Sequence, residues 1–172
     1  MRPALKVAAI FVACAAPLGL GWLASEQRWI SGRTGNYGEL LSPRPLAGPL
    51  APLRGKWVLV TLDPAACGPR CERKLYIVRQ VRRAQGQRAE RVERLWLLTD
   101  SGTPRAELVA ALDGSRVASA DAALSKAFPG DAPAYIYLVD PLGNLMMRFP
   151  AEPEARRMIQ DLERLLRYSS VG

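Results

Sequence analysis

The stretch Trp57–Leu62 (WVLVTL) constrains the fold most. It is apolar except for Thr61, rich in β-formers, and continuous instead of alternating, so it needs cover on both faces and reads as a central strand. The run breaks at Asp63-Pro64 and passes through two alanines, and Cys67-Gly68-Pro69-Arg70-Cys71 follows where a helix begins. From Cys71 onward, Leu75, Val78 and Val81 recur at helical spacing, with Tyr76 and Ile77 widening the stripe. This pattern predicts an amphipathic helix from about Pro69 to Ala84, whose outer face carries Arg73, Lys74, Arg79, Gln80 and Arg83.

The N-terminal part differs in character. Residues 1–6 form a short basic lead with Arg2 and Lys6, and residues 7–24 (VAAIFVACAAPLGLGWLA) contain no charge. At 1.5 Å per residue this run reaches about 27 Å, enough for the hydrocarbon core of a bilayer, with Trp22 near the far interface. The expectation is one transmembrane anchor, its basic lead in the cytoplasm and the remainder of the chain outside. A cleaved secretory signal and a lipidated Cys14 within Phe11-Val12-Ala13-Cys14 are the competing readings, and both deliver the domain to the same side. Residues 25–54 are rich in Gly, Pro and polar residues and read as a connector, with Tyr37, Leu40 and Leu41 docking onto a domain expected at 55–168; residues 169–172 form a tail.

Within that domain, Val92 to Thr99 predicts a second buried strand and Pro104 to Leu112 a short helix with Leu108 and Val109 facing in. Val117 begins a brief edge strand, and Ala120 to Phe128 is a short helix. Pro133 to Val139 and Asn144 to Phe149 are strands joined by the turn Asp140-Pro141-Leu142-Gly143 into a hairpin. In the last helix Ala155, Met158, Ile159, Leu162, Leu165 and Leu166 share one face. Strand, helix, strand, short helices, hairpin, helix is an α/β order, giving a four- or five-stranded mixed sheet with helices on both faces. With two cysteines at the end of the first strand, the expected fold is thioredoxin-like.

The chain has no histidine, which removes the commonest metal ligand and every His-based catalytic arrangement. Its formal charge is +8, but arginines alternate with glutamates along the helices and no stacking aromatics accompany them. Nucleic acid is therefore not an expected partner; an anionic membrane surface or an acidic protein fits better. Asp63, Asp100 and Asp140 each follow an apolar run and read first as turn residues, with Asp63 also a candidate proton acceptor for a thiol.

Cys67 and Cys71 are the candidate site. A helix N-terminus, together with Arg70 and Arg73, favours a thiolate and prepares one cysteine to attack a disulfide while the other resolves the intermediate. The same two sulfurs suit a soft ion, Cu(I) foremost. In an oxidising compartment they also suit a fixed structural disulfide. Pro133, preceding a strand, is a candidate cis proline against the cysteines.

The membrane run, the buried strand, the Cys-X-X-X-Cys segment and the Tyr137–Gly143 hairpin (YLVDPLG) resemble the Sco/SenC family over about residues 55–166. The resemblance implies a membrane-anchored, thioredoxin-like protein of the bacterial inner membrane with a periplasmic domain, which assists cytochrome c oxidase assembly as a copper carrier or thiol reductant. Cys67 and Cys71 carry over as the thiols, catalytic or metal-binding. Two departures stand out: Glu72 occupies the place of the proline after the second cysteine, and Ala132, eight residues before Asp140, occupies the place of the copper-binding histidine. Thiol/disulfide work keeps all its atoms under this resemblance, while Cu(I) handling loses one ligand. The alternative is a non-enzymatic assembly or scaffold protein with a structural disulfide.

Overall fold

The computed structural model describes residues 14–17 and 35–171. Residues 14–17 are helical, and Cys14 is an exposed free thiol. The expected anchor at 7–24 otherwise lies outside the described residues, among which no helix is long and apolar enough to cross a membrane.

Residues 36–172 form one compact unit. Its strands are β1 (Glu39–Pro45), β2 (Trp57–Asp63), β3 (Val92–Leu98), β4 (Arg116–Ser119), β5 (Tyr135–Val139) and β6 (Asn144–Pro150). The helices are α1 (Pro69–Arg83), α2 (Ala106–Ala111), α3 (Ala122–Lys126) and α4 (Ala155–Tyr168). The sheet order is β1-β6-β5-β2-β3-β4. β2, β3 and β4 run parallel, whereas β5, β6 and β1 join by antiparallel pairing.

All seven residues of β2 are buried, as its continuous apolar run demands. Trp57 and Leu59 face α1 and α4, packing with Ile77, Val78, Val81, Met158, Leu162 and Leu166. Val58, Val60 and Leu62 face the other side, beneath Leu50 and Leu53 of a 3-10 turn and Phe128. Each fully buried Val or Leu here contributes roughly 1.5–3 kcal/mol relative to exposure. The helical cover is therefore unequal: both long helices sit on one face, and short elements close the other.

The number of strands, the extent of the connector and the inner face of the short helix need correction, while Tyr37 docks as expected. The sheet has six strands, because β1 and the 3-10 turn Gly48–Leu53 fall inside the stretch read as a connector. Pro43 and Pro45 suggested an open chain, yet β1 is an edge strand paired only with β6, and an edge tolerates missing donors. The register shifts between Leu40 and Arg44, where Pro43 lies. Tyr37 and Gly38 are bound still more firmly, both donating backbone N–H at 2.8 Å to Oδ2 of Asp161, a buried residue of α4. In α2, Leu108 packs inward but Val109 is exposed, since Leu108 and Leu112 define the buried face.

Candidate thiol/disulfide site

The cysteines lie where the sequence expects them, at the end of β2 and the mouth of α1. The Cys67 N–H donates to Pro64 O at 3.0 Å, closing a turn, and Cys67 takes φ of +30°, an uncommon left-handed conformation for a side-chain-bearing residue. Gly68 is the N-cap and Pro69 opens the helix, where its missing N–H costs nothing. One helical turn then brings Cys71 back to Cys67, with Cα atoms 5.2 Å apart and the sulfurs joined in a disulfide. The bond is enclosed: Cys67 is 1% exposed and Cys71 4%, packed with Ala65, Leu75, Trp96, Leu98 and Leu112.

Two side chains that sequence reasoning did not assign to the site complete it. Lys74 was expected on the outer face of α1, yet it is wholly buried. Its Nζ lies 2.7 Å from Asp63 Oδ2 and donates to Pro133 O at 2.7 Å. Its spacing of three residues from the buried Cys71 places it on the same helix face, a signal masked by its charge. Burial pushes the Asp63 carboxyl up from its ordinary pKa and the Lys74 ammonium down, each partly offset by the other. Asp63 is thus a buried, ion-paired residue at the strand end and not a turn residue. Arg105, just before α2, pairs with Glu72 and donates to Cys67 O at 3.4 Å. No spacing in the sequence marks this contact.

Asp100 and Asp140 do act as turn residues. Asp100 Oδ1 accepts the Ala65 and Gly102 N–H groups, and Asp140 Oδ1 accepts those of Leu142 and Asn144. Pro133 is not cis, for no cis peptide bond occurs among the described residues; it lies in the 3-10 turn Ala132–Ala134 leading into β5.

The residues present do not fit a three-ligand copper site. Ala132 offers no donor, the chain contains no histidine, and no three Cys, Asp or Glu side chains converge among the described residues. The Lys74 ammonium sits instead beside the Ala132-Pro133 turn, where a cation would be repelled. What remains is a pair of sulfurs bonded to one another.

Fold and site together define a thioredoxin-like domain with a Cys-X3-Cys disulfide at the mouth of its first long helix. The profile of the family described as "transmembrane-like, thioredoxin-like, C-terminal domain" matches residues 57–169, and the chain belongs to that family. No curated protein matches it in sequence. Among solved structures it is similar to Bradyrhizobium japonicum ScoI with copper bound, at 22% identity and TM-score 0.53, over 74% of this chain and 98% of that one. Apo Sco1 from Thermus thermophilus matches at 20% identity and TM-score 0.55, covering 76% and 96% of the two chains. Yeast Sco1 with copper bound matches at 14% and 0.55, covering 80% and 96%. At these identities the likeness is one of fold.

Proposed function

We propose that the protein is a membrane-anchored, thioredoxin-like factor that assists cytochrome c oxidase assembly through reversible chemistry at Cys67 and Cys71. The observation that carries this reading is the Cys67–Cys71 bond at the N-terminus of α1. A partner thiolate attacks one sulfur, the S–S bond breaks, and the other cysteine leaves as a thiolate favoured by the helix N-terminus. The partner's second thiol then resolves the mixed disulfide, so that two electrons and two protons pass from the partner's dithiol to this pair. Run backwards, the same steps reduce a partner disulfide, such as one in an oxidase subunit or another periplasmic thiol or copper protein. The charge-free run at 7–24 behind a basic lead supports placing the anchor in the bacterial inner membrane, the N-terminus in the cytoplasm and the domain in the periplasm. An oxidising compartment also suits the disulfide.

Cu(I) handling is the secondary part of the proposal, because the reduced pair supplies two soft thiolates and nothing more. The burial of both cysteines favours a second reading, a scaffold protein whose disulfide is structural. The test is a redox titration of the full chain carrying Cys14→Ser, with Cu(I) competition on the reduced sample. The expected result is a reversible two-electron couple, with Cu(I) binding that disappears in Cys67→Ser. A pair that physiological thiols do not reduce, with no copper taken up, would leave the scaffold reading.

A further inference from the structure

We propose that the loop between β3 and α2, residues 99–105, gates access to the Cys67–Cys71 disulfide, and that the Glu72–Arg105 ion pair is its latch. The proposal rests on the thiol/disulfide reading above and adds its control. Any nucleophile that opens a disulfide must reach one sulfur along the S–S axis, but both cysteines are almost fully enclosed. The loop closes onto the Pro64–Cys67 turn at three points. Asp100 Oδ1 holds the Ala65 N–H at 3.0 Å. Gly102 comes so near that a Cβ there would lie 2.8 Å from that of Ala65. Arg105 reaches across to Glu72 and to the Cys67 carbonyl, tying the loop to both ends of the cysteine motif.

The latch differs in kind from the buried pair below it. Glu72 and Arg105 side chains are 45% and 57% exposed, so water and salt weaken their attraction, whereas Lys74 is entirely enclosed. Arg105 leads directly into the six-residue helix α2, whose Leu108 packs against the cysteine cluster while its Val109 is exposed, so the latch lies at the edge of the core that encloses the disulfide. Glu72, which replaces a proline in the resembling family, thereby acquires a role. It lets the residue after Cys71 hold the gate shut.

A gate has a kinetic signature. Opening precedes attack in either direction, so loosening the latch speeds reduction and reoxidation alike and leaves their equilibrium unmoved. Charge tuning of the thiols would instead shift the equilibrium, and removing Arg105 or Glu72 would shift it in opposite senses. The experiment uses the full chain with Cys14→Ser and the neutral reductant tris(hydroxypropyl)phosphine. Its phosphorus attacks one sulfur, and water completes the reaction to phosphine oxide and two thiols. Arg105→Ala and Glu72→Gln should each accelerate reduction by roughly two- to five-fold. The swapped pair Glu72→Arg with Arg105→Glu should restore the slow rate, and molar salt should speed the parent protein and the swapped pair but neither single variant. The equilibrium in dithiothreitol buffers should be the same in every variant. Unchanged rates, rates moving in opposite directions, or a disulfide that stays closed to the phosphine in all variants would overturn the gate. Failure of the thiol reading shows separately, as an equilibrium beyond the reach of the dithiol buffers.

Discussion

Lys74→Met tests the buried pair beneath the disulfide. Methionine keeps the unbranched length but removes the ammonium, leaving Asp63, whose side chain is 8% exposed, without a counter-charge. Breaking such a pair typically costs about 3–5 kcal/mol. Protonating Asp63 sets a ceiling on that cost: from an ordinary carboxyl pKa of about 3.9, holding it neutral costs about 4.2 kcal/mol at pH 7 and about 1.5 kcal/mol at pH 5. The orphaned Pro133 carbonyl adds about 1 kcal/mol at any pH. The sign follows from the direction of the shift. A carboxyl whose folded pKa is raised contributes stability that is present at low pH and lost as pH rises through the folded value. The variant should therefore lose about 4 kcal/mol at pH 7, on the order of 10 °C in Tm, and clearly less at pH 5. Urea melts followed by circular dichroism at both pH values read this out. Asp63→Asn in the same chain should return more than half of the loss at pH 7. A variant within about 0.5 kcal/mol of the parent at pH 7, or equally destabilised at both pH values, would refute the reasoning.

Gly38→Ala tests whether the chain before β2 belongs to the fold: the new Cβ would lie 2.5 Å from Met147 Sδ and 2.6 Å from Phe149 Cε1. A loss of about 1–3 kcal/mol in a thermal melt is expected, and an unchanged Tm would mean that Gly38 is mere spacer. Tyr137, buried and donating to Pro129 O at 2.8 Å, has its phenol pushed up to about 12 by burial. Its contribution is complete below its unfolded pKa near 10 and is lost as pH rises towards 12, so Tyr137→Phe should flatten the alkaline fall in stability. The same slope in both proteins would contradict this.

Much of the domain was legible because its core strands are buried on both faces and its long helices carry clear stripes. The position of Cys67 and Cys71 followed from the break at Asp63-Pro64, and the hairpin from Asp140 to Gly143. What stayed hidden depended on partners distant in sequence. β1 has two prolines and no apolar alternation, and only its pairing with β6 and the grip of Asp161 on Tyr37 and Gly38 make it part of the sheet. Lys74 reads as surface charge until Asp63 and Pro133 meet it. Glu72 looked like a mere departure from a family pattern, and its meaning depends on Arg105, 33 residues away.

The central claim, that Cys67 and Cys71 form a working thiol/disulfide couple, is tested most directly by the midpoint of the redox titration. Thiol-exchange proteins span about −120 to −270 mV, whereas structural disulfides lie below about −300 mV. A reversible two-electron midpoint within the first range is the predicted result. A pair that remains oxidised down to about −300 mV would contradict the account.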